Sequence, residues 1–201
     1  MRKQQRPPIP AVLEEHSEKW NKQWKQRKQE NPSATFQWYQ HQGRAARDWI
    51  LADLREMTQG HCAFCDGFPL ENTSGEPVEH FRPKSDERFF HLAYSWENLF
   101  YCCEACQKCK REQWDDDLLK PDAVDYEFET YFQFDFTTGA IEPNRFSTPD
   151  AQRRASVTIA MYGLDSEVRQ RHRRLELRKW QKCGTDEDLN DFAYRDFLHA
   201  G

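Results

Sequence analysis

Apolar positions in residues 1–58 fall mainly at helical intervals. Leu13, Trp20 and Trp24, and later Trp49, Ile50 and Leu54, recur largely at steps of three and four or their sums, as along the buried stripe of a helix. A proline-rich lead (Pro7, Pro8, Pro10) precedes them and Asn31-Pro32-Ser33 interrupts them, so two helices are predicted. From Gly60 to about Trp114 the periodicity gives way to cysteines, glycine, proline and short apolar runs. Asn72 to Pro77 reads as a turn and Val78 to Phe81 as a strand after it. Tyr131 to Phe136 alternates in part, and Thr138-Gly139 leads into Ala140-Ile141, which predicts a hairpin. Thr148-Pro149-Asp150 opens a helix, Gly163 closes it, and Ser166 caps the next; Asp188 to Leu198 is expected to form a terminal helix. The class expected is α+β, mostly helical, with a helical segment at 1–58, a core at 59–114, and an acidic loop, hairpin and helices at 115–201 packing on that core.

Composition narrows the class. Hydrophobic residues make up 37% of the 201, a modest share, but 14 Phe, 7 Trp and 7 Tyr supply large burial areas and exclude a disordered chain. No run approaches the ~18 apolar residues of a membrane span. The polar start MRKQQRPPIP lacks the apolar centre of a signal peptide, so a soluble cytoplasmic protein without membrane contact is expected. The net charge of −5 confines any nucleic-acid surface to a local patch. Residues 169–182 hold seven Lys or Arg against Glu176, a run that reads as a solvated helix face or a DNA contact. The acidic run 115–117 reads as a solvated loop.

Seven cysteines are an odd number, and six fall between Cys62 and Cys109. That clustering favours a reducing compartment and a metal over a disulfide framework. Cys62-Ala-Phe-Cys65 and Cys103-Glu-Ala-Cys106 are two CxxC pairs, whose tight turns can aim four thiolates at one tetrahedral zinc ion. A second register, Cys106 with Cys109, stays open. Cys102 and Cys109 otherwise read as small buried hydrophobes. Such a closed site supports folding and leaves no coordination position for chemistry. The 37 residues between the pairs make an insert roughly twice that of a simple zinc ribbon.

Inside the insert lie Glu79-His80-Phe81-Arg82-Pro83-Lys84 and Trp96-Glu97-Asn98-Leu99, and at its closing edge Cys103-Glu-Ala-Cys106-Gln107-Lys-Cys-Lys110. With Cys62-Ala-Phe-Cys65, these stretches resemble the HNH (ββα-metal) endonucleases. More narrowly, they resemble the retron- and Septu-associated PtuB-like family, with its pattern C-x-[YF]-C, EH-F-R-P-K, W-x-N-L and C-x-x-C-N-x-x-K. The resemblance is specific over residues 60–114, weaker over roughly 130–175, and slight before that. It implies a zinc-stapled ββα-metal core with His80 as general base, Glu79 and Gln107 as ligands of a catalytic Mg²⁺ or Mn²⁺, and Asn98 holding the loop that orients the histidine. It also implies DNA as substrate and an SMC- or ABC-like ATPase as partner in antiphage defence.

The residue types suit that chemistry. Histidine titrates near neutrality, hard divalent ions prefer carboxylate and amide oxygens, and Arg82, Lys84 and Lys110 suit substrate phosphates. Two constraints apply. Neighbours in a regular strand point to opposite faces, so Glu79 and His80 share a site only if the strand ends or twists there. Gln107 is one methylene longer than the family's Asn, which moves its oxygen and raises the ordering cost. A catalytically impaired zinc module that binds nucleic acid or scaffolds the ATPase is therefore the alternative, with a cysteine redox protein behind it. Histidines 16, 41, 172 and 199 read as ordinary polar positions, and His61 and His91 as surface residues beside the motif.

Overall fold

The computed structural model describes residues 1–70, 75, 77–183 and 187–201; most of the turn expected at 72–77 lies outside them. About half of the chain is helical, in a mixed α/β arrangement, so the helical share is smaller than the sequence pattern suggested. The shortfall comes from residues 31–45 and from the segment before the last helix, where extended chain, turns and a 3₁₀ turn stand in for regular helix. Among the described residues, no helix is long and apolar enough to cross a membrane.

Helix α1 (Ala11–Glu30) starts directly after Pro10 and buries Leu13, Trp20, Asn21 and Trp24. Helix α2 (Ala46–Thr58) buries Ala46, Ile50, Leu54 and Thr58, one residue per turn on a single face. Between them, residues 31–45 are not helical. They carry Phe36 and Trp38 and a small antiparallel pair, β1 (Gln40–His41) and β2 (Arg44–Ala45), that the periodicity did not reveal.

The insert is built on a second antiparallel pair. Strand β3 (Val78–His80) lies against β4 (Leu99–Tyr101), with Val78 opposite Tyr101, Glu79 opposite Phe100 and His80 opposite Leu99. Helix α3 (Glu104–Lys110) follows at once, so residues 78–110 run strand, strand, helix. After a one-turn helix α4 (Phe128–Tyr131), the expected hairpin forms from β5 (Phe132–Asp135) and β6 (Ala140–Pro143).

Helix α5 (Pro149–Tyr162) has Pro149 in its first turn and Thr148 as cap, whose side-chain oxygen accepts from the Ala151 N–H at 3.2 Å. Gly163 ends it in the left-handed region at φ +59°. A Cβ there would also approach Cys109 Sγ to 2.9 Å, so two constraints select glycine. Helix α6 (Glu167–Cys183) is the basic run. It is not wholly a solvated face, because Arg169 and Arg173 are buried. The acidic loop is solvated at Asp115 and Asp116, as expected, while both oxygens of Asp117 take hydrogen bonds from Arg153. The expected terminal helix is shorter than 188–198: a 3₁₀ turn at Leu189–Asp191 precedes α7 (Arg195–Ala200).

One apolar cluster draws on Leu13, Trp24, Ile50, Phe64, Trp96, Phe100, Phe132, Ala155 and Tyr162, and thus on all three sequence segments. The extended start of the chain is sewn to it. Arg6 bonds Asp122 at 2.6 Å and the Trp96 and Leu99 carbonyls at 2.7 and 3.1 Å, and Trp96 Nε1 donates to Pro7 O at 3.0 Å. A smaller cluster seats α7 through Ala193, Tyr194, Phe197 and Leu198. There Arg195 meets Asp66 in a buried ion pair of 2.6 Å, and the Arg195 and Tyr194 N–H groups donate to Asp66 as well.

Removing one partner of a buried pair strands the other charge. Arg195→Ala is therefore expected to lower the unfolding free energy by about 3–5 kcal/mol, read by urea denaturation of the full chain. A loss below about 1 kcal/mol would mean that apolar contacts alone seat α7.

Candidate functional site

The first cysteine pair lies in a tight turn after α2. Cys62 N–H donates to Gly67 O and Asp66 N–H to Cys62 O, both at 2.9 Å, and Asp66 sits at φ +57°. Ala63 N–H reaches Tyr101 O at 2.8 Å, which ties this turn to the end of β4. The second pair straddles the start of α3, where Cys103 is the cap residue.

Together these turns bring the sulfurs of Cys62, Cys65, Cys103 and Cys106 within 4.8 Å of one another. Cys62 and Cys106 are 3.8 Å apart and Cys65 and Cys103 3.6 Å, too far for a disulfide. A zinc tetrahedron with bonds near 2.3 Å has edges of about 3.8 Å, so the donor set fits a metal such as zinc. The competing register is excluded by geometry, because Cys109 is exposed on α3 and stands outside the group. Cys102 is buried as expected; Cys109 is not. His61, read as a surface residue, is fully buried, its two ring nitrogens facing Gln59 O at 2.8 Å and Phe192 O at 3.0 Å. His91 is exposed.

The second arrangement is a cleft of about 130 Å³ lined by Val78, Glu79, His80, Lys84, Gln107, Arg111 and Glu112. β3 ends at His80, and Glu79 and His80 both border the cleft despite their adjacency. His80 Nε2 lies 2.9 Å from Ala93 O. A carbonyl only accepts, so Nε2 carries the proton and Nδ1 the lone pair. Nδ1 makes no hydrogen bond among the described residues. Phe36 meets the ring edge-on at 5.0 Å and Trp38 stacks on it at 5.7 Å. Burial, with the Lys84 charge adding to it, pushes the His80 pKa well below the ordinary histidine value.

Asn98 secures the loop around the histidine. Its Oδ1 accepts from Arg82 N–H at 2.7 Å, while Nδ2 donates to Arg82 O at 3.0 Å and Leu92 O at 3.1 Å, next to the carbonyl that His80 uses. From α1, Trp24 Nε1 donates to Lys84 O at 2.9 Å and Asn21 Oδ1 accepts from Tyr94 N–H at 2.7 Å. The helical N-terminal segment thus holds both ends of the loop.

Among the residues expected at substrate phosphates, Lys110 is placed elsewhere. Its side chain is 0% exposed, and its ammonium donates to Glu79 Oε1 at 2.8 Å and His80 O at 3.0 Å. Burial pushes the Glu79 carboxyl up, and the Lys110 ammonium pulls the other way. Lys84 does border the cleft, 3.3 Å from Glu112 Oε1. Arg82 is exposed, its guanidinium against the rings of Trp114 at 5.4 Å and Phe89 at 5.7 Å. The Gln107 amide donates to Cys102 O at 3.0 Å.

Sequence reasoning missed Glu112 and Arg111. Glu112 accepts from Ser85 at 2.6 Å, and although burial opposes it, Lys84 and Ser85 hold its carboxyl below the usual range. Arg111 takes φ +52° just past α3. Neither belongs to a recognisable pattern; the one available signal was their position a turn beyond Gln107 and Lys108.

No family model matches the chain. Over 72 residues it is 31% identical to the Septu protein PtuB of Bacillus mycoides (strain KBAB4), a match covering 30% of this chain and 24% of that protein. The likeness supports a Septu-associated family. The chain spans about a quarter of the length of the curated relative it matches.

The folded state keeps His80 neutral at pH values where an unfolded chain, with histidine near 6.5, takes up a proton. Stability is thus expected to fall as pH drops below about 6.5, with a shallower fall in His80→Gln. Parallel denaturation midpoints of the two proteins from pH 7 to 5 measure this; coincident pH slopes would contradict it.

Proposed function

We propose that this chain is a zinc-stapled HNH endonuclease that hydrolyses DNA phosphodiester bonds as the nuclease component of a Septu-type antiphage system, with an SMC- or ABC-like ATPase as partner. The distant likeness to PtuB supports the defence role. The observation that carries the chemistry is the tautomer of His80. With Nε2–H held by Ala93 O, the imidazole is a neutral base whose Nδ1 is available to take a proton from water at the cleft.

The rest of the site follows from its donors. The Glu79 carboxylate and the Gln107 amide border the same cleft and offer the oxygen atoms that Mg²⁺ or Mn²⁺ prefers. Such an ion, when bound, offsets charge developing on the phosphate and the leaving oxygen. Asn98 positions the loop, Lys84 and the exposed Arg82 and Arg111 receive phosphates, and Lys110 acts from behind by fixing Glu79. Zinc on the four cysteines closes the insert without an open coordination position. The net charge of −5 limits free-standing affinity for a polyanion, which fits delivery by a partner.

A second reading, a catalytically impaired zinc module that binds nucleic acid or scaffolds the ATPase, is favoured by one observation. Lys110 already engages an oxygen of Glu79, the residue a catalytic ion would need.

Plasmid cleavage with Mg²⁺ or Mn²⁺, with and without the ATPase, separates the two. His80→Ala is expected to reduce the rate by about 10²–10⁴-fold, the usual contribution of a general base. Equal cleavage by both proteins would remove His80 from the mechanism, and no cleavage by the wild type with metal and partner would favour the second reading. Elemental analysis of the purified chain is expected to find about one zinc per molecule; none would remove the zinc staple.

A further inference from the structure

We propose that Arg169 is an outer-sphere partner of the four-cysteine site, and that its guanidinium ties metal occupancy there to the seating of the basic helix α6. The inference rests on those cysteines holding a metal and is independent of nuclease activity. Arg169 is 7% exposed and lies on the first turn of α6. Its Nη2 donates to Cys106 Sγ at 3.1 Å, and its Nη1 donates to Tyr162 O at 2.6 Å and Gly163 O at 2.7 Å, at the end of α5. One planar group therefore joins a cysteine sulfur, the C-terminus of α5 and the start of α6.

The charge arithmetic gives this contact its meaning. Four thiolates around a dication carry a net charge of −2, and burying that charge is costly without a nearby cation. Conversely, a buried guanidinium needs an anion. Arg195 has Asp66 at 2.6 Å, and Arg173, one turn further along α6, has Asp165 at 3.3 Å. Arg169 pairs with no carboxylate among the described residues. Its charge faces the cysteine cluster instead, with Nη2 on Cys106 Sγ. The hydrogen bonds divide in the same way: the Cys103 and Cys106 N–H groups serve Cys62 Sγ at 3.3 Å and Cys103 Sγ at 3.5 Å, and Cys106 Sγ takes its donor from Arg169.

Loss of the metal removes what fixes Cys106 Sγ in place, and the guanidinium is then held by the Tyr162 and Gly163 carbonyls alone. The α5–α6 corner loses its counter-charge, and α6 loosens with its exposed arginines and lysines. In the loaded state the N–H donor draws electron density from the Cys106 sulfur and lowers its reactivity, as outer-sphere partners do.

Zinc affinity of the full chain, measured by competition with a chromophoric chelator, tests this. Arg169→Gln is expected to weaken zinc about 10-fold or more and Arg169→Lys by less, while Arg173→Gln stays within about 2-fold of wild type. Arg173→Gln also removes buried hydrogen bonds on the same helix but touches no sulfur, so it controls for general destabilisation. In Co²⁺-loaded protein the sulfur-to-metal charge-transfer band should move to longer wavelength in Arg169→Gln alone. Amide exchange across residues 167–183 should rise on zinc removal in the wild type. Arg169→Gln binding zinc like wild type, Arg173→Gln weakening it equally, or exchange in α6 indifferent to zinc would each overturn the proposal. If Arg169→Gln does not fold, Arg169→Lys carries the comparison. A wild type that binds no zinc would remove the metal reading itself.

Discussion

The convergence of four sulfurs is the constraint on which the remaining geometry depends. Cys62 and Cys65 leave the end of α2, Cys103 and Cys106 open α3, and the chain between them must return to its starting point. A short two-stranded ladder is marginal by itself, and β3 and β4 contribute three residues each. Closing both ends of the insert at one point gives that ladder a fixed base. The backbone bonds from Ala63 to Tyr101 and from Cys102 to Pro77 then register the turn, the ladder and the second cysteine pair as one unit.

The cleft needs more than the insert can supply. His80 has one ring nitrogen anchored by Ala93, but its ring is walled by Phe36 and Trp38, from the link between α1 and β1. Trp24 and Asn21 hold Lys84 and Tyr94 from α1, and Asn98 joins the inner edges of the same loop. Aromatic packing and a few buried hydrogen bonds thus substitute for regular structure across residues 81–98. That is a compact way to hold the His80 ring in place, and the same burial keeps the imidazole neutral.

Buried charge organises the rest. Lys110 beneath Glu79 and Arg195 against Asp66 answer a charge with its opposite across elements distant in sequence, and Arg173 does so locally with Asp165. Such pairs give little net stability compared with apolar packing, but they tolerate little rearrangement, because a stranded partner is expensive. Arg169 completes this pattern, with the cysteine site standing where the other buried arginines have a carboxylate.

Local features of the fold were legible in the chain. The stripes of α1 and α2, the β5–β6 turn, the Thr148 cap and the Gly163 stop follow from periodicity and backbone preference, which act over a few residues. The CxxC spacing pointed to the four clustered cysteines for the same reason, since a knuckle is a local turn. Choosing Cys103 with Cys106 over Cys106 with Cys109 required the tertiary structure: both spacings are chemically equal, and only the placement of α3 separates them. The fate of like charges was likewise invisible in one dimension. Lys84 and Lys110 are the same residue type in one stretch, yet one borders the cleft and the other is buried under Glu79. Residue order by itself determined that this chain has two CxxC pairs and a histidine beside a carboxylate. Burial, which depends on what the rest of the chain packs above each side chain, decided which charges face the cleft and which are paired beneath it.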